Sequence, residues 1–515
     1  MQKYILGVDI GTTSTKAGLF SLDGDMFGFA QQGYPLFQDL NGMAEQDSEQ
    51  IYAAVLQVIA ELSAQVSPEQ IIALSFSSAM HSLIVLDQHQ QPLTRCITWA
   101  DNRAAAASQW LAAQPEAEEL YQRTGVPNHP MTPLAKIIWL RQEQAELFAQ
   151  AAYFISIKEY IFLQLFGELI VDYSIAASSG MLNLDQLAWD QAALNLAGIS
   201  SKQLSQVVAT TYQLTGLAES LRLKLGLSAE CRFIVGSSDG CLANLGIGAL
   251  DEHSVALTIG TSGALRRASK TAYLDPAART FCYPLLDNLW IIGGPVNSGG
   301  IVLQWFYEQI YAPQTSATLG NDYTPMLAAA AQINAGSDGL FFLPYLAGER
   351  APLWDANARG SFFGLSHQHT KEHMARAVLE GISFNLRAVL ELLEIAPATS
   401  LNNIIASGGF AHSSLWCQIL ADIFNCEILI PESVESSCWG AALLGFYACD
   451  MVTNLSASKN LLKIGQLYTP NLANVKRYAQ SYQLFSDLNQ QLKPLYLKLA
   501  QSRIINTDKE QICQS

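Results

Sequence analysis

Asp9-Ile10-Gly11-Thr12-Thr13-Ser14-Thr15-Lys16 lies between an apolar run, Tyr4 to Val8, and an alternating one, Ala17 to Phe20. Two strands meeting at a Gly-Thr-Thr-Ser turn leave consecutive backbone N–H groups and hydroxyls facing one point, which is how a turn binds an anion. A nucleoside triphosphate with its divalent cation suits such a turn. The N–H groups, the hydroxyls and Lys16 can meet phosphate oxygens, and Asp9 can hold a metal ion through water. An ordinary polar hairpin reads the same way, so this stretch alone does not decide the fold.

A second copy decides it. Ser254-Val255-Ala256-Leu257-Thr258-Ile259-Gly260-Thr261-Ser262-Gly263-Ala264-Leu265 repeats the plan of strand, Ile-Gly-Thr, small polar turn and strand. Two such hairpins in two halves indicate an internally duplicated protein that pinches a ligand between its copies. The arrangement resembles the superfamily of sugar kinases, actin and heat-shock ATPases. That resemblance implies an α/β fold of two ribonuclease-H-like lobes with a central nucleotide and sugar cleft.

The bulk numbers fit a large enzyme. A chain of 515 residues that is 50% apolar has material for two cores. No stretch reaches the roughly 18 apolar residues of a membrane span, and the opening apolar segment, bracketed by Gln2, Lys3 and Asp9, is too short for a signal peptide. A net charge of −16 argues against nucleic acid or an anionic membrane as partner. Nine cysteines without a Cys-x-x-Cys pair read as reduced core thiols and place the chain in the cytoplasm.

Along the chain, Leu22-Asp23-Gly24-Asp25 reads as a hairpin turn, Ser48 to Ser63 as a helix, and Gln70 to Phe76 as a buried strand ending in the polar loop Ser77 to Ser82. Helices dominate from Ala104 to Phe166. A strand returns at Cys231 to Gly236 and stops at Ser237-Ser238-Asp239-Gly240. The lobe boundary is placed near Ala249, giving lobes 1–249 and 250–515. In the second lobe, strands at Trp290 to Gly293, Ile404 to Ser407 and Glu427 to Ile430 are each followed by a helix. Beyond Leu455 the apolar pattern weakens, and Asn506 to Ser515 reads as a frayed polar tail.

Asp239 stands at the carboxyl end of an apolar strand, where open α/β sheets place ligands. A carboxylate there can accept the proton of an alcohol that attacks a γ-phosphate, the one acid/base role phosphoryl transfer requires. A turn aspartate accepting backbone N–H groups is the alternative. For an acceptor, Met80 and His81 sit in the loop 77–82, and Trp99, Asp101 and Arg103 add an aromatic face, a carboxylate and a guanidinium. Polyols need such groups beside an apolar wall, although Asp101-Asn102-Arg103 also reads as a helix cap with an ion pair. Glycine pairs at Gly299-Gly300 and Gly408-Gly409 each end a strand and open a helix, so a base or ribose can lie against the backbone there.

His367, His369 and His373 have helical metal-ligand spacing, but the run from Thr370 through Lys371 and Glu372 reads better as a capped helix start. No Gly-x-x-x-x-Gly-Lys-Ser/Thr occurs, which excludes a P-loop kinase.

Gly360-Ser361-Phe362-Phe363-Gly364-Leu365, followed by His373 to Glu380, resembles the C-terminal signature of the FGGY carbohydrate kinases. Met131 to Leu140 resembles their other signature. The resemblance runs from Asp9 to about Tyr447, with the motifs in family order. It implies ATP and Mg²⁺, with Asp239 as base and Asp9 near the metal. Thr12, Thr13 and Lys16 would reach the phosphates, and Thr261 would belong to the second phosphate loop. Gly300, Gln304, Gly409 and Ser413 match nucleotide positions, and Met80 and His81 the sugar-contacting pair.

Phe76 to Ser82, Ile97 to Arg103, Ile157 to Phe162, Gly293 to Asn297 and Tyr345 to Trp354 are similar to the gluconokinase branch. That similarity implies D-gluconate as acceptor, phosphorylated at its terminal hydroxyl. Xylulose or another pentulose or polyol is the alternative acceptor. His412 and Cys417 depart from the branch, which often carries arginine there. A sugar acid needs a cation or several donors for its carboxylate, and Lys158, Arg103 and His81 are the candidates. A catalytically silent sugar sensor on the same fold is the reading from another class; Asp9, Lys16, Thr261 and Asp239 together oppose it. The assembly state, a homodimer among the options, is open at this level.

Overall fold

The computed structural model describes residues 2–39, 41–312, 322–395, 401–432, 435–456 and 461–512. The chain divides into two compact units. The first comprises Met1–Glu252 and also takes in Arg267–Ile292 and Ser433–Lys463; the second comprises His253–Arg266, Gly293–Glu432 and Ile464–Ser515.

In the first unit, Tyr4–Ile10 is a central strand that is apolar on both faces because helices cover both: Leu6 and Val8 pack with residues of Ser48–Ser63, and Ile5 with residues of Ser436–Ala448. Ser14–Ser21 pairs with it antiparallel through the Gly-Thr-Thr turn, and Met26–Gly33 pairs in turn with Ser14–Ser21. On its other side Ile71–Ser78 runs parallel to Tyr4–Ile10, and Arg232–Ser238 runs parallel to Ile71–Ser78. The helix Ser48–Ser63 forms where the spacing predicts it. Asp47 caps it by accepting from the N–H groups of Glu49 and Gln50, and Val55, Ile59 and Leu62 pack on Val8, Leu74 and Phe76.

Two helices set the orientation of the site. Asp239–Gly246 follows the Arg232–Ser238 strand, and Ser436–Ala448 crosses it backbone to backbone. A Cβ at Gly440 would stand 1.9 Å from the carbonyl oxygen of Leu242, and one at Gly246 1.9 Å from that of Ser436. Glycine at both positions is what permits this approach.

The second unit repeats the plan. Ser254–Ile259 and the strand from Gly263 form the second hairpin, Asn403–Ser407 runs parallel to Ser254–Ile259, and Glu427–Pro431 runs parallel to Asn403–Ser407. Ile464–Tyr468 closes that edge antiparallel. Lys371–Ile395 begins after Thr370, as its capping pattern predicts. His369 Nδ1 accepts from the Ser366 N–H at 2.9 Å and His373 Nδ1 from the Thr370 N–H at 3.2 Å, so these imidazoles fold back on the turns ahead of the helix.

The tail differs from expectation. A helix runs Leu472–Ile512, through the region that reads as frayed from Asn506; residues 513–515 lie outside the described residues. Its apolar signal is sparse because it docks through aromatics. The rings of Tyr478, Tyr482 and Phe485 gather around Phe384 at centroid distances of 5.9, 6.0 and 5.4 Å. Among the described residues no helix is long and apolar enough to cross a membrane.

Candidate active site

In the first unit three parallel strands end in register. Asp9 lies opposite Ser77, and Ser77 opposite Ser237. Between Ile234 and Ser237 the register slips at Gly236, whose φ of +75° and whose contact with Phe76 exclude any side chain. Asp239 opens the next helix, its Oδ1 accepting from the Gly240 N–H at 2.6 Å. The structure therefore brings Asp9 and Asp239 together at the carboxyl ends of these neighbouring strands.

Their electrostatics are coupled. Burial and then the charge of Asp239 push the Asp9 carboxyl up to about 6, while a hydrogen bond from Ser77 Oγ (2.6 Å) and the charge of Lys16 act in the opposite sense. Lys16 faces Asp9 across the hairpin and donates to both carboxylate oxygens of Glu435 at 3.1 and 3.0 Å. Glu435 precedes the Ser436–Ala448 helix and escapes sequence reasoning. No periodicity links residues so far apart in the chain.

The hairpin itself is tied down by its carbonyl groups. Gly11 O accepts from Tyr34 Oη (2.6 Å), Thr12 O from Gln46 Nε2 (2.5 Å) and Thr13 O from the Tyr34 N–H (3.2 Å). Trp99 Nε1 donates to Thr12 Oγ1 at 2.9 Å, joining an expected sugar residue to an expected phosphate residue.

On the acceptor side His81 has a φ of +65°, and its Nδ1 lies 2.8 Å from the carbonyl oxygen of Ser178; Met80 precedes it. Asp101 is buried, accepts from the Ala44 N–H (2.9 Å) and pairs with Arg103, whose Nη2 lies 2.7 Å from Oδ2. Arg103 also meets Glu45 at 2.5 Å and stands 4.8 Å over the Trp139 ring. Lys158 is buried against Asp172 at 2.8 Å. Two of the three candidate cations are thus already matched by carboxylates.

A residue that sequence reasoning does not single out joins these loops. Lys136, in the first family signature and fully buried, donates to the carbonyl oxygens of His81 (2.6 Å) and Thr98 (2.7 Å), and burial pulls its ammonium down to about 7. Lys136→Met should leave both carbonyls without this donor. The expected result is a KM for the sugar raised by about tenfold, equivalent to about 1.4 kcal/mol, with the KM for ATP little changed; steady-state kinetics measure both.

In the second unit the glycine pairs flank the second hairpin. The Gly300 N–H donates to Gly260 O at 2.7 Å and the Ile301 N–H to Thr261 O at 3.1 Å. Gly408, at φ +112°, packs on Ile259 O. Gly260 and Gly409 are different, because a Cβ at either would meet nothing within 4 Å. Ser413 Oγ accepts from the Trp416 N–H (3.2 Å) and so caps the Ser414–Phe424 helix; Gln304 Nε2 donates to Glu308 at 2.8 Å. Beside Gln304 a cleft of ≈ 320 Å³ is lined by Asn297, Ser298, Trp305, Pro344 and Leu346. Buried Glu349 fixes its rim, accepting from the Asn297 N–H (2.5 Å), Ser298 Oγ (2.5 Å) and Asn385 Nδ2 (2.8 Å).

Comparison with known proteins gives the same family twice over. The model of the FGGY family of carbohydrate kinases, N-terminal domain, matches residues 4–246, and that of the C-terminal domain matches residues 255–449. A gluconokinase of Bacillus subtilis (strain 168) is 44% identical over 503 residues, covering 97% of this chain and 98% of that one. A xylulose kinase of the same strain is 27% identical over 514 residues, covering 97% and 99%. Two crystal structures from Lactobacillus acidophilus each give a TM-score of 0.91 at 39% identity. One is a gluconate kinase, covering 97% of this chain and 100% of that one; the other is a ligand-bound xylulose kinase, covering 96% and 100%. With both domain models matched in order and the two hairpins in place, this chain belongs to the FGGY family of carbohydrate kinases.

Proposed function

We propose that the chain transfers the γ-phosphoryl group of ATP to the terminal hydroxyl of D-gluconate, giving 6-phospho-D-gluconate and ADP. The observation that carries the choice of sugar is the identity contrast, 44% to a gluconokinase against 27% to a xylulose kinase over nearly the same span. In this reading Asp239 accepts the proton of the attacking hydroxyl as its oxygen bonds to the γ-phosphorus and the bond to ADP breaks. Thr12, Thr13 and Lys16 are assigned to the phosphates, and Thr261, Gly300, Gln304, Gly409 and Ser413 to nucleotide contacts, as their match to the family motifs implies. Met80, His81, Trp99, Asp101 and Arg103 take the sugar, either directly or, for the paired Asp101 and Arg103, by shaping its wall.

The residues fit Mg²⁺. Burial and the neighbouring charge of Asp239 raise the Asp9 carboxyl to about 6, and a divalent cation at Asp9 relieves that repulsion. Asp9 would hold it, Asp239 keeping its role as base, and it would neutralise charge on the phosphate oxygens. We place the reaction in the cytoplasm, consistent with six buried thiols and no disulfide among the described cysteines.

Xylulose stays the second reading because the Lactobacillus xylulose kinase structure is as similar as the gluconate kinase structure. A coupled ADP-release screen over gluconate, xylulose, ribulose and glycerol separates the two. The expected result is the highest kcat/KM on gluconate; a higher value on xylulose would replace the acceptor.

A further inference from the structure

Lys158 and Asp172 form an ion pair with 2% and 0% of their side chains exposed, at 2.8 Å. Such a pair is weak evidence for stability, because desolvation offsets most of the attraction. Its geometry gives it another use. Asp172 Oδ1 accepts from the Ser174 N–H (3.0 Å), the Ile175 N–H (3.2 Å) and Ser174 Oγ (2.6 Å), capping the short helix Tyr173–Ser178. Ser174 Oγ has its own proton on Asp172 and accepts two more, from Ser237 Oγ and from the Ser238 N–H, both at 2.7 Å. Lys158 Nζ donates its further bond to Ser237 O at 3.1 Å.

The hydroxyl and carbonyl of Ser237 and the amide of Ser238 are therefore all held from one buried carboxylate. These are the last two residues before Asp239, and they lie just past the slip at Gly236, where the regular ladder has been interrupted. We propose that Lys158, Asp172 and Ser174 are positioning residues that fix the direction in which Asp239 leaves its strand. The assignment rests on Asp239 being the base, and it gives Lys158 a role away from the sugar carboxylate.

A double-mutant cycle tests it. Ser174→Ala and Asp172→Asn are each made in the parent and in Asp239→Asn, and kcat is measured at saturating ATP and gluconate in single turnover. In the parent, each should lower kcat about 10- to 100-fold, as a displaced reacting group does, while the KM for ATP stays within about threefold. In Asp239→Asn the same changes should cost less than about twofold, because there is no base left to misplace. Ser174→Ala removes a single oxygen and carries the test if Asp172→Asn does not fold. An unchanged kcat in the parent, or the same factor lost in both backgrounds, would overturn the positioning role. If Asp239→Asn alone lost less than about tenfold, the base assignment would fall, and the proposal with it.

Discussion

Asp239→Asn is expected to lower kcat on the sugar by roughly 10²–10⁴-fold, the usual worth of a positioned general base, with the KM for ATP nearly unchanged. The side chain is isosteric, and its amide oxygen can still accept from the Gly240 N–H that Asp239 Oδ1 accepts from at 2.6 Å. The helix start at the strand end should therefore survive. What disappears is a carboxylate able to take the hydroxyl proton. Nucleotide contacts are assigned to other residues, so the loss should fall on the chemical step. Single-turnover kinetics at saturating ATP read that step, and a loss below about tenfold would remove Asp239 from the role.

The adjacent glycines 408 and 409 should respond in opposite ways. Gly408→Ala places a Cβ 2.3 Å from Ile259 O on a backbone at φ +112°. Strain and overpacking together should lower stability by roughly 2–5 kcal/mol, seen in thermal or urea unfolding. A Cβ at Gly409 would meet no protein atom within 4 Å, and its φ is not in the left-handed range. Nothing in the fold requires glycine there, whereas a nucleotide lying against the backbone would. Gly409→Val should therefore leave unfolding unchanged and raise the KM for ATP by on the order of a hundredfold, about 2.7 kcal/mol. An ATP KM within about threefold of the parent would mean the nucleotide lies elsewhere.

The parts of this site legible in the sequence are those written locally. Apolar runs ending in Gly-Thr or Ser-Asp mark strand ends, which is why Asp9, Thr12, Lys16, Thr261 and Asp239 stand out from the order of residues alone. Ser48–Ser63 is legible for the same reason, from helical spacing behind a capping aspartate. What escapes depends on residues distant in the chain. Glu435 meets Lys16 across 419 positions, and Lys158 reaches Ser237 across 79. Neither spacing carries a period. Lys158 and Arg103 read as cations available to a substrate carboxylate because a sequence shows a charge without its partner, and their partners are Asp172, and Asp101 with Glu45. Lys136 sits inside a signature, yet its bonds go to backbone carbonyls, which residue identity cannot show. The Leu472–Ile512 helix escapes because a few aromatics, rather than an aliphatic stripe, dock it.

The most direct test of the gluconate assignment is identification of the product formed from ATP and gluconate. After incubation with purified protein, the phosphorylated sugar acid is isolated and its phosphorus–carbon couplings are read by NMR. Phosphate on the terminal carbon, with ADP released in equal amount, is the predicted result. ADP release without a phosphorylated gluconate, or phosphate on another carbon, would contradict it.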